Sequence, residues 1–358
     1  MAFGTVFTLD TVADLNTTVA EIGEDRIWDN LDAYFAAHNE LFRMAAEQVA
    51  ETTTDRMRRY GETDQVEAQE LGEFGQPSAQ KIQPGGYNIG FPLRRYGYAL
   101  QWTRFAFENM TAEEFARQVN AVTDADERAL YSAIRRALFK PTNSTFDDWM
   151  QRPPISLPVK ALVNADGEEI PVGPSGTTFN GATHTHYTGV TTANAPAQAE
   201  ATAAIENAVE HFNSGNVRVF INRAEEADWL AFADFKPYID ARLVNQTAGI
   251  VATGALDTRN LYDRAIGLLS GAEVWVKPWV PAGKWFITID GPPKPLVMRQ
   301  PIPAGARNLR LVAQDENYPL RANEWEHRFG VAVWNRLNGV AVDVATGGGT
   351  YTDPSASL

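Results

Sequence analysis

Residues 109–141, NMTAEEFARQVNAVTDADERALYSAIRRALFKP, carry the clearest helical signal in the chain. Thr111 and Glu114 stand at the spacing of a capping box. Phe115, Val119, Val122, Leu130, Ile134 and Leu138 form one apolar stripe, and Pro141 closes the run. The spacing predicts a helix over 111–139, roughly 28 residues and about 42 Å long, well beyond the usual globular helix and suited to a structural beam. Asp124, Asp126 and Glu127 imitate the start of an EF-hand. The loop glycine and closing glutamate are missing, so these acids read as a solvated helix face.

Immediately before this helix, FPLRRYGYALQWTRFAF (91–107) sets Tyr96, Tyr98, Leu100 and Trp102 in alternation with smaller or polar neighbours, which predicts a strand. Two polar portions punctuated by Gly and Pro, GETDQVEAQELGEFGQP (61–77) and KIQPGGYNIG (81–90), lead into it, so residues 61–108 read as a long hairpin-like excursion. Its aromatic face exceeds what a two-stranded ribbon can bury on itself and needs another surface. Further back, Ile27, Leu31, Phe35, Leu41, Phe42, Ala45 and Val49 predict a helix from Arg26 to about Tyr60, broken near threonines 52–54. Residues 1–25 are polar and Thr-rich without sustained periodicity, which predicts an extended arm.

On the other side, residues 141–196 are rich in loops, and PVKALVNADGEEIPVGP (158–174) reads as a hairpin around an Asp-Gly turn. Beyond it come a helix in AQAEATAAIENAVEHF (197–212), a strand in VRVFIN (217–222) and a helical turn in AEEADWLAFADF (224–235). Strands around Val274–Val276 and Trp285–Ile289 flank a Pro-Gly turn. In RFGVAVWNRLNGVAVDVA (328–345), Phe329, Val331 and Val333 alternate in one phase and Val340, Val342 and Val344 in the other, giving two strands joined by a bend. GGGTYTDPSASL (347–358) reads as a mobile tail. Together these elements indicate an α+β protein.

At 358 residues the chain can bury a sizeable core in two or three structural units. Cysteine is absent, which excludes disulfides, thiolate metal sites and cysteine nucleophiles. A formal charge of −14 disfavours diffuse phosphate binding, while nine tryptophans argue for extensive packing or interface surface. The start, MAFGTVFTLD, has neither a basic n-region nor an apolar h-region, and no run is long enough to cross a bilayer, so no membrane partner is expected.

Chemistry is sparse. His184 and His186 in THTHY (183–187) are the best metal candidates, because residues i and i+2 of a strand share a face. No third ligand lies within a compact spacing, so the segment reads as a polar loop. TGGGT (346–350) lacks the following helix and lysine of a phosphate cradle, and there is no G-x-S-x-G motif. No catalytic, cofactor-binding or metal residue is therefore assigned, and no cofactor is expected. Facing carboxylates leave no local spacing, which keeps an acidic, Trp-rich carbohydrate-active enzyme or binding module as a competing class. Arg94 and Arg95, on the aromatic strand, read as intersubunit ion-pairing groups.

The order of these parts resembles the Hong Kong 97-type major capsid protein of tailed phages, a fold shared with encapsulins. VRVFINRAEEADWLAFADF (217–235) is similar to that family's axial-domain strand and helix, and IGLLSGAEVWVKPWVPAGKWFITIDG (266–291) to its strand, proline-glycine turn and strand. RFGVAVWNRLNGVAVDVA is similar to the family's last peripheral-domain strands. The resemblance implies an N-terminal arm at 1–25, an N-terminal helix at 26–60 and an extended E-loop at 61–108. It further implies a peripheral P-domain at 109–196 and 321–358 with its spine helix at 111–139, and a mixed axial A-domain at 197–320.

It also implies a non-catalytic subunit that self-assembles into hexamers and pentamers of an icosahedral shell around double-stranded DNA, assembled in the host cytoplasm. Arg94, Arg95, Tyr96, Tyr98 and Trp102 are then expected to meet a neighbouring subunit. An encapsulin-like compartment is the neighbouring alternative. Some members begin with a long scaffolding segment; only about 25 residues precede the first helix here, so a separate scaffolding protein is expected, with a portal and a decoration protein as further expected partners. Some members crosslink Lys to Asn, and Lys81 with Asn335 or Asn338 would be the counterparts.

Overall fold

The computed structural model describes residues 17–60, 69–71, 73, 75, 86–150, 152–212, 215–238, 244–245, 249–250 and 263–354. Most of the arm expected at 1–25 and the outer part of the excursion, including Lys81, lie outside the described residues. The helices α1 (Val19–Ile22) and α2 (Glu24–Glu47) lead into β1 (Ala50–Thr53) and β2 (Met57–Tyr60). Next come β3 (Tyr87–Gly90), β4 (Arg94–Thr103), α3 (Arg104–Asn109) and the long α4 (Ala112–Phe139). The middle of the chain holds β5 (Ser144–Asp148), β6 (Ile155–Val159), β7 (Tyr187–Gly189), α5 (Gln198–Val209), β8 (Asn216–Ile221), α6 (Glu226–Ala231), β9 (Lys236–Pro237), β10 (Val244–Asn245) and β11 (Gly249–Ile250). Strands dominate the rest: β12 (Arg264–Leu269), β13 (Ala272–Val276), β14 (Lys284–Asp290), β15 (Leu296–Arg299), β16 (Arg310–Asn317), β17 (Leu320–Val333) and β18 (Val340–Asp343).

The long helix forms where its spacing predicts. Glu114 N–H donates to Thr111 Oγ1 at 3.3 Å and Thr111 N–H donates to Glu114 Oε2 at 3.0 Å, closing the capping box. All six stripe residues are buried. Its last carbonyls, which no helical N–H can reach, accept from tyrosines: Tyr351 Oη donates to Phe139 at 2.7 Å, and Tyr187 Oη lies 3.2 Å from the Leu138 carbonyl and 3.0 Å from that of Lys140.

Two compact units divide the chain. The first gathers the described residues up to Thr54 with Pro92–Arg136 and Val297–Val331. Its five-stranded sheet runs β1-β15-β17-β16, and β4 also pairs with β17. Ile27, Leu31 and Phe35 of α2, Phe115, Val119 and Val122 of α4, and Trp102 and Trp325 of the sheet form one core cluster. Each such side chain, fully buried, contributes about 1.5–3 kcal/mol. Gly330 lets the strand pass the chain at Pro92, for a Cβ there would sit 2.1 Å from the Pro92 carbonyl oxygen.

The second unit comprises Asp55–Phe91, Ala137–Leu296 and Ala332–Leu358, with a seven-stranded sheet ordered β7-β18-β14-β8-β13-β12-β9. The central β14 is covered on both faces, as its near-continuous apolar run requires. Trp285 and Ile287 meet Ala201, Ala204, Ile205 and Ala208 of α5 on one side, while Phe286 packs among Phe139, Phe220 and Trp279 on the other. Lys284 and Asp343, opposite each other in the β14–β18 register, form a buried ion pair at 2.8 Å.

Several expectations are corrected. The first helix ends at Glu47 and the chain continues as β1 and β2, because the β-branched Thr52–Thr53 sequence favours extended backbone over helix. The Asp-Gly segment at 158–174 is not a hairpin: Pro158 and Val159, at its start, end β6 and pair backward with β5, and Gly167 turns the chain with a φ of +82°. The strands of 328–345 are not partners. The first is the end of β17 and the second, β18, joins β14 and β7. Nor is 347–354 a free tail, since Gly348 and Gly349 N–H groups donate to the carbonyls of Thr191 and Val190.

Candidate functional site

The strand proposed for intersubunit contact shows the expected alternation. Tyr96, Tyr98, Leu100 and Trp102 turn inward along β4, and the residues between them are exposed. The inward face is used within the chain, which corrects the expectation that a neighbour buries it. Trp102 lies against Phe107 and Phe115 and donates its Nε1–H to Gln118, and Tyr96 stacks on Phe329 with centroids 4.6 Å apart. Here α4 supplies the surface that the ribbon needed.

Tyr98 leads to a buried polar centre. Its hydroxyl donates to Asp126 Oδ1 at 2.9 Å, while His38 Nε2 and His327 Nδ1 approach Asp126 Oδ2 at 3.0 and 2.9 Å. Asp126 is 0% exposed, so it is a structural acceptor and not part of a solvated face. Burial alone would raise its pKa. The hydrogen bonds from His327 and His38 outweigh that and hold the carboxyl below its ordinary range.

Arg94 and Arg95 are exposed at the start of β4. Arg95 finds its carboxylate within the chain, Glu326 on β17, which also binds Arg328. Arg95 and Arg328 are directly opposite in the register, so Glu326 neutralises a like-charged cross-strand pair. Burial would raise Glu326, but hydrogen bonds from Arg328 and Arg95 hold it below its usual value.

The neighbouring hairpin leaves apolar surface outside. Nearly all of β16 is exposed, and Leu311, Val312, Tyr318 and Leu320 present apolar groups around its turn, with Tyr318 85% accessible. A paired strand exposed on both faces and carrying apolar residues is the physical signature of an association surface. Sequence reading missed it, because LRLVAQDENYPL (309–320) has no strong period.

The second unit brings together the two histidines of THTHY with two residues that local spacing could not supply. Glu210 and His211 follow the end of α5 and meet them. The three Nε2 atoms form a triangle: His184 to His186 3.2 Å, His184 to His211 3.1 Å and His186 to His211 3.0 Å. Glu210 Oε1 lies 3.1, 3.9 and 3.4 Å from the Nε2 atoms of His184, His186 and His211. The His186 and His211 side chains are 0% and 1% exposed, and Glu210 is 30% exposed at the rim. Desolvation pushes His184 down, His211 down to about 3 and His186 well down, and pushes Glu210 up. Phe179 covers the group, its ring centroid 4.1 Å from that of His211 and 4.9 Å from that of His184.

The two asparagines named for crosslinking are committed elsewhere. Asn338 is buried, with its amide accepting from Ile289 N–H and donating toward the Ile289 and Pro293 carbonyls. Asn335 is also buried, donating to Pro293 and accepting from Tyr60. Between them, Arg336 reaches the Ala161 carbonyl, Tyr87, Asn164 and Asp166 at 2.7–2.9 Å. These side chains fasten the second unit internally. Among the described residues no helix is long and apolar enough to cross a membrane.

No family model matches the chain, and no curated protein does. Among solved structures it is similar to a chain from Mycobacterium phage Patience, with TM-score 0.69 and 18% identity, covering 95% of this chain and 93% of that one. Other matches are the capsid of a native GTA particle, with TM-score 0.49 and 13% identity over 84% of this chain and 90% of that one, and the holo-SrpI encapsulin complex from Synechococcus elongatus, with TM-score 0.41 and 11% identity over 87% and 90%. The chain shares the fold of the Patience chain over nearly the whole length of both.

Proposed function

We propose that this chain is the major capsid protein of a tailed phage, a structural subunit that assembles into hexamers and pentamers of an icosahedral shell around double-stranded DNA. The observation that carries this reading is the shared fold with a phage protein over nearly the full length of both chains. The exposed apolar β16–β17 hairpin supports it, since repeated contacts of modest strength around closed rings give a durable shell.

On this reading, the long helix is the spine of a P-domain and the seven-stranded sheet belongs largely to an A-domain. The excursion preceding β4 is the E-loop that reaches a neighbour, and the expected partners are a scaffolding protein, a portal and a decoration protein. The contact role of the β4 strand passes to its exposed groups, Arg94 and Arg95, because Tyr96, Tyr98 and Trp102 are engaged inside. The charge of −14 suits an inner wall along which packaged DNA slides without adhering.

Sedimentation velocity of the chain expressed with and without a scaffolding protein tests the proposal, followed by nuclease treatment of particles purified from infected cells. Rapidly sedimenting particles holding nuclease-protected DNA support it. Particles holding a cargo protein in place of DNA select the encapsulin-like alternative, and a monomer that hydrolyses or binds glycans selects the carbohydrate-active one.

A further inference from the structure

We infer that His184, His186, His211 and Glu210 form a binding site for a divalent cation of the zinc class, which clips the loop entering β7 to the C-terminal end of α5. The donor spacing is the first reason. Zinc–nitrogen bonds of about 2.0–2.1 Å at tetrahedral angles place ligand nitrogens about 3.3 Å apart. The three Nε2 atoms here stand 3.0–3.2 Å from one another, so a small displacement of each ring admits the ion at their centre.

The tautomer of His186 is the second reason. Its Nδ1 lies 2.8 Å from the Gly339 carbonyl, which only accepts, so Nδ1 carries the proton and Nε2 presents a bare lone pair to the cluster. A backbone carbonyl holding the far nitrogen is the usual outer support of a metal-bound imidazole.

Hydrogen bonding alone leaves the group unsatisfied. Glu210 Oε1 is buried and accepts no hydrogen bond, although all three imidazole nitrogens lie within 3.9 Å of it. A central cation takes a lone pair from each of the four donors. Nitrogen-rich sets with one carboxylate and no thiolate suit zinc, and four protein ligands leave no open position, so the ion is structural. Its effect is to join two segments of the second unit that Phe179 also bridges by packing on His184 and His211.

The test uses the full-length chain stripped with a chelator, dialysed and titrated with cobalt, followed by visible absorption and then by displacement with zinc. The expected result is a single cobalt per chain with the intense d–d bands of a tetrahedral site, their loss on adding zinc, and a higher unfolding temperature with zinc than without. Both His184→Ala and Glu210→Gln change the rim of the site, and each is expected to lose the tetrahedral spectrum while keeping the far-ultraviolet circular dichroism of the parent. Should a variant fail to fold, the wild-type stoichiometry and zinc-dependent unfolding temperature decide. A wild-type chain that takes up no stoichiometric cobalt, or a folded His184→Ala or Glu210→Gln chain that keeps the tetrahedral spectrum, overturns the assignment.

Discussion

Single residues show where local pattern stops informing. Asp126 sits in a helical stretch that looks solvated, yet its partners His38 and His327 lie 88 and 201 residues away, and only the folded chain delivers them. Replacing it, Asp126→Asn, removes the charged acceptor shared by two histidines and Tyr98 and is expected to cost about 3 kcal/mol in urea denaturation. The folded pKa of Asp126 is below its unfolded value of about 3.9, so its contribution is present above that pH and is lost as pH falls through the folded value. The wild type should therefore lose stability below about pH 4 along a slope that is shallower in Asp126→Asn, where Asp166, Asp343 and Glu326 still contribute. Gly330 is a steric case: Gly330→Ala drives a methyl onto the Pro92 carbonyl and is expected to cost about 1–3 kcal/mol by chemical denaturation, whereas an unchanged midpoint would mean the strand shifts freely. His184 and His186 were legible as a same-face pair; Glu210 and His211, 24 or more residues on, were not.

Elements were legible in proportion to their own period. The long helix could be placed from its capping box and stripe alone, and β4 from its alternation, because in both the side chains that repeat are those that become buried. The end of β17 and all of β18 are buried on both faces, so their valines mark strands but not which sheet each one joins. The Asp-Gly turn suggests a hairpin because turn chemistry is local, while the pairing of β6 with β5 depends on the preceding loop. The β16–β17 hairpin gave no sequence signal, and it is the element whose surface the proposed assembly uses. Leu311→Lys with Val312→Lys, both exposed, is expected to leave the unfolding transition within about 0.5 kcal/mol of wild type while lowering the sedimenting assembled fraction. A large loss of stability would instead assign that strand to the subunit's own core.

For the whole molecule, the sequence order of arm, excursion, beam, mixed domain and returning strands was enough to suggest the fold, since each part announces itself by length and composition. What it could not show was which apolar faces are satisfied within one subunit. The aromatic face of β4 is closed by α4, whereas the β16–β17 hairpin keeps apolar groups on the outside. The most direct measurement is negative-stain electron microscopy of the expressed chain, alone and with a scaffolding protein. A shell-forming subunit gives closed particles, tubes or ring-shaped capsomers. A monodisperse species near 39.5 kDa under every condition would contradict assembly as the function of this fold.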